Sequence, residues 1–241
     1  MVVFGVKGFT DKRVESFAAE TYYVGLGELG KLAELLKQEK IKQVLIAGAV
    51  PKKQLYDPLF KPDSTAKTFL HSTRNKGDDH LLRAFQIFLK VRCGISVVDT
   101  RVFLKDSLPS AGVLTKRRPT ETEWRDLKMG FRVAKHIGKM DIGQTVVIKE
   151  GVILALEAIE GTDEAIRRGA ALGGGEVVVV KTSKPNQDLR FDLPCVGPET
   201  LETLLSASSR VLGVEAGKTI FLFRDQLIET ADRHKMTLVA F

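Results

Sequence analysis

Apolar positions in the first half of the chain switch between two periods. Residues 22–24 read as a short strand. Residues 28–40 read as a helix, because Leu29, Leu32, Leu35 and Leu36 recur at the spacing of one helical face. Residues 44–50 form a continuous apolar run that stops at Pro51, the pattern of a strand buried on both faces. A second helix is predicted over 78–92, with Leu81, Leu82, Phe85, Phe88 and Leu89 on one side, followed by a strand over 96–99. Strands alternating with amphipathic helices predict βα units and a mainly parallel sheet.

The pattern breaks at residues 107–119. SLPSAGVLTKRRP holds two prolines, a glycine and three consecutive basic residues, and reads as a linker or hinge. Thr120, with Glu123 three residues later and a long helical pattern behind it, reads as a capping box. The expected organisation is therefore an N-terminal α/β domain over 1–106, a linker over 107–119 and a C-terminal α/β domain over 120–241.

The C-terminal half opens with a helix over 121–137. A hairpin is predicted from 145–149 and 152–157, turning at Glu150-Gly151. A short helix over 162–168 precedes a buried strand over 176–181, which contains the run VVVV. Residues 184–198 are expected to be a loop. A helix over 199–207, strands over 211–215 and 219–223 joined at Gly217, a helix over 224–235 and a strand over 237–241 complete the reading. No internal repeat or low-complexity tract is present.

Composition narrows the class. A chain of 241 residues with 44% apolar and 28% charged residues is a globular protein able to bury a core without disulfides. Its two cysteines, Cys93 and Cys195, form no CxxC motif, so neither a disulfide framework nor a zinc cluster is indicated, and a reducing compartment is expected. No apolar run reaches the length of a membrane span, and MVVFGVKGFTDK has no secretory pattern. These features predict a cytoplasmic protein. The net charge of +7 is uneven: residues 1–119 hold 21 Lys/Arg against 12 Asp/Glu, residues 120–241 hold 16 against 18. The basic half suits a solvated surface, an anionic lipid or a phosphorylated ligand. Nucleic acid is not expected, because residues 101–119 offer Phe103 as their one aromatic for stacking.

The chemistry-bearing candidates cluster in KTSKPNQDLRFDLPCVGPET, residues 181–200. Lys181, Lys184 and Arg190 are interleaved there with Asp188 and Asp192, and Pro185, Pro194 and Pro198 stiffen the backbone. Cations for phosphoryl oxygens beside carboxylates for a divalent metal suit a metal-assisted phosphoryl site. A surface loop with local ion pairs has the same composition. In residues 156–169, Glu157 and Glu160 precede a helix opened by Gly161 and Thr162, with Asp163 in its first turn. That helix start could serve an anion or, through Glu160 and Asp163, a cation bridging to it. Simple capping by Thr162 and a dipole complement from Asp163 explain the same residues.

Gly25-Leu-Gly27-Glu-Leu-Gly30 matches GxGxxG between a strand and a helix. The next strand is followed by Pro51, Lys52 and Lys53 rather than an acid for a ribose, so a tight turn is the better reading than dinucleotide binding. Gly77-Asp78-Asp79-His80 could be a ligand cluster or an ordinary helix cap. The histidines 71, 80, 136 and 234 show no metal-ligand spacing, and no GxSxG elbow or P-loop occurs.

Taken together, KGDDHLL (76–82), GVLTKRRPTETE (112–123), DIGQTVVIKEG (141–151), EAIEGTDEAIRRG (157–169) and residues 181–200 resemble, in order and approximate spacing, the LpxI-type family. Its members are UDP-2,3-diacylglucosamine pyrophosphatases of lipid A biosynthesis. The resemblance implies a Mg²⁺-dependent hydrolase of Gram-negative cytoplasm, peripheral on the inner membrane. It would convert UDP-2,3-diacylglucosamine to UMP and 2,3-diacylglucosamine 1-phosphate, with two α/β domains and the lipid in the cleft between them. It places the family's essential aspartate on Asp192, with Asp188 second.

Asp192, Asp188 and Gln187 are thus the expected catalytic group. Lys181, Lys184, Arg190, Thr115, Lys116, Gln144 and Thr162 are expected to bind substrate, and Asp192, Asp188, Glu160 and Asp163 to hold Mg²⁺. The family usually opens with a strand and a turn of the type IAGxGxxP. This chain starts at what reads as the second strand, so the first βα unit is expected to be absent. A non-catalytic UDP-sugar or lipid-phosphate sensor is the alternative expectation.

Overall fold

The computed structural model describes all residues except Ala49, Pro51 and 74–76, and the side chains of Lys52, Lys53, Asp78 and Asp79 also lie outside the description. The acidic part of the 77–80 cluster therefore lies outside the described residues. The chain divides into two compact units, Met1–Thr100 and Arg101–Phe241. Both are α/β.

In the first unit, strands β1 (Val2–Val6) and β2 (Glu20–Val24) pair in parallel, Val2 opposite Glu20. Helix α1 (Leu29–Gln38) follows the glycine-rich turn, where Gly27 has φ +94°. The Gly30 N–H at the start of α1 donates to Asp63 Oδ2 at 2.7 Å, and the other oxygen of Asp63 caps helix α2 (Ser64–Ser72) through Ala66 N. A carboxylate of the chain itself thus occupies the place where a dinucleotide fingerprint would hold a pyrophosphate, and the turn reading of GxGxxG stands.

Strand β3 is only Gln43–Val44, paired with β4 (Ser96–Val97), not the buried strand expected over 44–50. Leu45 is 46% exposed and Val50 38%. Among the described residues β3 has β4 alone beside it, so nothing continues the ladder past Val44. Helix α3 (Asp78–Phe88) widens into a π-helical turn, Leu89–Cys93, closed by Gly94 at φ +69°. Leu36, Leu89 and Ile95 form the small core of this unit, with Phe4, Leu32, Phe85 and Phe88 packed on it.

The second unit is a three-layer sandwich. Its sheet contains β5 (Gly112–Val113), β6 (Thr145–Lys149), β7 (Val152–Leu156), β8 (Val178–Lys181), β10 (Val211–Val214) and β12 (Thr237–Ala240), in the order β5-β12-β10-β8-β6-β7. Strands β8, β10 and β12 are parallel, and β5, β6 and β7 run antiparallel to their neighbours. The strands alternate cleanly. Val146, Ile148, Val178, Val180, Val211 and Val239 face helix α4 (Glu121–Lys139). Val147, Val179, Leu212, Val214 and Leu238 face the other core, with residues of α5 (Thr162–Gly173), α6 (Pro198–Ser206) and α7 (Arg224–Arg233). Gly130 lets α4 settle on the sheet, since a Cβ there would lie 2.6 Å from Val180 Cγ2.

Two local predictions are realised through identifiable bonds. Thr120 Oγ1 accepts from Glu123 N, and Glu123 Oε2 accepts from Thr120 N at 2.8 Å, closing the capping box of α4. Glu150 and Gly151 both have positive φ, the signature of a type I′ hairpin. The buried Asp126 of α4 accepts from both of their amides, at 2.8 and 2.7 Å.

The segment 107–119 is not a free connector along its length. Gly112–Val113 is an edge strand of the sheet, and Thr115 Oγ1 accepts from Leu238 N at 3.0 Å. Its prolines and glycine read as a break, but two extended residues suffice to pair with β12. Within the expected loop after β8, Cys195–Val196 (β9) pairs in parallel with Ile220–Phe221 (β11). Phe223 is left-handed at φ +53° and starts α7, which shortens the strand expected over 219–223. Cys93 and Cys195 are free thiols, and burial raises both pKa values.

Candidate active site

Open α/β sheets place their ligands outside the carboxyl ends of the strands. Here that edge is defined by Lys181 of β8, Val214 of β10 and Ala240 of β12. The antiparallel pairs Thr145 with Lys181 and Val146 with Leu156 bring the start of β6 and the end of β7 to the same edge. The carboxyl end of α4 arrives there too, because Lys135 Nζ reaches Ser183 O at 2.8 Å. Residues 182–194, Gln144, Glu157–Thr162 and the turn after β10 therefore share one rim.

Glu215, directly after β10, is the best-connected group of this rim. Its side chain is 8% exposed. Oε2 accepts from Lys135 Nζ, from Ser183 N at 3.0 Å and from Ser183 Oγ at 2.6 Å; Oε1 accepts from Lys218 Nζ at 2.8 Å. Burial by itself would raise its pKa, but the bonds from Lys135, Lys218 and Ser183 outweigh burial and hold it at about 2. Glu215 is thus an anion at neutral pH that ties the root of the 182–194 segment to α4.

The sequence-predicted residues of that segment divide by role. Lys181 and Lys184 are buried: Lys181 Nζ donates to Cys195 O at 2.8 Å, and Lys184 Nζ to Asp141 Oδ1 at 2.6 Å. Asp141 is left-handed, φ +56°, just past the end of α4, which aims its carboxylate back at the segment. Gln187 Oε1 accepts from Lys184 N at 2.9 Å and shapes the turn. Asp188 is gripped by Arg190, whose Nε lies 2.8 Å from Oδ1. Asp192 N donates to Asp188 O at 3.1 Å, closing a turn that spans the two aspartates.

Gln144, Thr162 and the neighbouring Glu157 form a second knot. Gln144 N and Thr162 Oγ1 both donate to the Glu157 carboxylate, at 3.2 and 2.9 Å. Glu160 pairs with Arg168 at 2.6 Å; burial would raise its pKa, but backbone bonds and Arg168 lower it on balance. Gln144 Oε1, Asp163 Oδ1 and Thr182 Oγ1 are buried without a hydrogen-bond partner. Such atoms are destabilising by about 1–3 kcal/mol each when unmet, so each is open to a hydrogen-bond partner from solvent or a ligand.

Thr115 and Lys116 are not part of this assembly. They lie beside Leu238 and Asp232, and Arg117 binds Thr237, at the amino end of β12. That is the opposite edge of the sheet from residues 182–194. Sequence reasoning missed Glu215, Lys135, Ser183 and Asp141. The available signal was an acid placed immediately after the buried run VLGV, at the edge where α/β sheets bind.

Gly143 sets the knot's closeness. A Cβ there would lie 2.0 Å from Glu157 O and 2.6 Å from Glu157 C, a clash with backbone that cannot rotate away. Gly143→Ala is expected to destabilise the protein by about 3 kcal/mol, read as a lowered Tm. An unchanged Tm would show that the two segments are not in contact.

Among the described residues no three His, Cys, Asp or Glu side chains converge on one point, so no all-protein metal cage is present. Asp188, whose two oxygens are bound by Arg190, and Asp192 are the carboxylates of the 182–194 segment, the residue type that could hold Mg²⁺ when phosphate oxygens complete its shell.

The fold and rim define a two-unit α/β protein with a cluster of charged side chains at the carboxyl edge of its larger sheet. Residues 1–107 match the LpxI N-terminal domain and residues 110–239 the LpxI C-terminal domain. The UDP-2,3-diacylglucosamine pyrophosphatase LpxI of Caulobacter vibrioides is 32% identical over 242 aligned positions, covering 95% of this chain and 84% of that protein. The chain belongs to the LpxI family.

Proposed function

We propose that this protein hydrolyses the pyrophosphate of UDP-2,3-diacylglucosamine, releasing UMP and 2,3-diacylglucosamine 1-phosphate for lipid A biosynthesis. The carrying observation is identity of 32% sustained over 95% of the chain with a relative named for that reaction. The chemistry of the rim supports it: carboxylates, cations and unmet buried polar atoms meet where an α/β sheet binds ligands.

In this reading Mg²⁺ is the cofactor, held by Asp188 and Asp192, and supplies charge neutralisation on the phosphate oxygens when bound. Asp192 orients the attacking water. Arg190, exposed and two positions from each aspartate, exchanges its contact with Asp188 for a phosphate oxygen. Lys184 and Gln187 keep the segment in shape, and Gln144, Thr162 and Asp163 accept hydroxyl or N–H donors from the substrate. Glu160, committed to Arg168, braces α5 instead. The reaction is placed in the cytoplasm at the inner membrane, where a diacylated substrate resides; no helix among the described residues is long and apolar enough to cross a membrane.

The test is UMP release by purified protein, with and without Mg²⁺. Release that requires the metal and stops with chelator is expected. Substrate binding with no release under either condition would overturn the enzyme reading and leave a sensor.

A further inference from the structure

The exposed face of α4 carries an uncompensated basic stripe. Arg125, Lys128, Arg132, His136 and Lys139 are all exposed and recur at intervals of three and four, within one quarter-turn of the helix surface. Arg125 has Glu121 at 3.8 Å, whereas Lys128, Arg132 and Lys139 have no acidic partner among the described residues. Like charges at these intervals disfavour the helix that bears them. The stripe runs about 21 Å along the axis and ends at the carboxyl edge of the sheet. There it meets exposed aliphatic side chains: Met140 is 71% exposed, Ile142 44% and Ile159 54%. The contact of Gly143 with Glu157 places Ile142 and Ile159 on touching segments.

We infer that this face docks the protein on an anionic lipid bilayer. The basic stripe meets the headgroups and the aliphatic end enters the interface, as basic surfaces with an apolar flank do. Nucleic acid would use the charges and could stack on Trp124, which lines a groove with Arg125 and Lys128, but it has no place for exposed isoleucine and methionine at the other end of the stripe. Docking this way sets the rim holding Asp188 and Asp192 at the membrane surface. The inference rests on the proposed lipid substrate for its purpose, though not for its test.

The experiment is co-sedimentation of the full chain with vesicles of phosphatidylcholine alone or with about a third phosphatidylglycerol. Turnover is measured in parallel on detergent-dispersed substrate. Wild type is expected to bind the anionic vesicles, and the triple variant Lys128→Gln, Arg132→Gln, Lys139→Gln to bind them about tenfold or more weakly with unchanged Tm and turnover in detergent. Met140→Ser with Ile142→Ser should weaken binding at high salt, where charge is screened. Equal binding to both vesicle types, an unchanged triple variant, or stronger retention on nucleic acid than on vesicles would overturn it. Vesicle binding without turnover leaves docking intact and sinks the enzyme reading; turnover without vesicle binding does the reverse.

Discussion

Asp192→Ala is expected to slow UMP release by about two to three orders of magnitude, the scale of losing a group aimed at developing charge. Its Tm should stay within a few degrees of wild type. Alanine retains the bond from Asp192 N–H to Asp188 O, so the turn that this bond closes is kept. Only the carboxylate is lost. Thr115→Ala supplies the contrast. Thr115 Oγ1 accepts from Leu238 N inside the sheet, so its loss should lower Tm by several degrees with kcat unchanged. Turnover of Asp192→Ala within about threefold of wild type would remove Asp192 from the mechanism. A large kcat loss in Thr115→Ala would return the opposite edge of the sheet to consideration.

That pair of variants also marks where sequence was informative. The charged segment after β8 was visible because cations and carboxylates lie close together in sequence. The hairpin turn and the capping box were visible because their bonds span two or three residues. Glu215 was not, because its partners Lys135 and Ser183 are 80 and 32 positions away. Nothing local distinguishes an acid that anchors a loop from one that ends a strand in solvent. The same limit hides where Thr115 and Lys116 lie: prolines make their segment read as connector, and strand order alone decides at which edge of the sheet it lies. Residues 44–50 show the converse error. An apolar run states what could be buried, but a strand also needs neighbours, and β3 has only β4 among the described residues.

Glu215→Gln is expected to destabilise the protein by about 3 kcal/mol at neutral pH, because removing one partner of a buried ion pair leaves the others uncompensated. For a protein of this size that lowers Tm by roughly 10 °C. Lys135 and Lys218 keep some access to water, with side chains 24% and 46% exposed, which keeps the effect from growing larger. The pH dependence identifies the cause. Glu215 has a folded pKa of about 2 against an ordinary 4.5, so its stabilisation is complete above about 4.5 and is lost as pH falls toward 2. The Tm gap between wild type and Glu215→Gln should therefore hold constant from pH 7 to 5 and close below 4.5. A gap that persists to pH 2 would mean that glutamine disturbs packing rather than charge. Ser183→Ala, which deletes the two Oγ bonds, to Glu215 and from Lys135, but keeps the bond from Ser183 N, should reproduce a smaller gap and raise amide exchange in residues 183–192 if Glu215 holds the segment through Ser183. Were exchange there unchanged while Tm fell, Glu215 would brace α4 against β10 without governing the segment that carries Asp188 and Asp192.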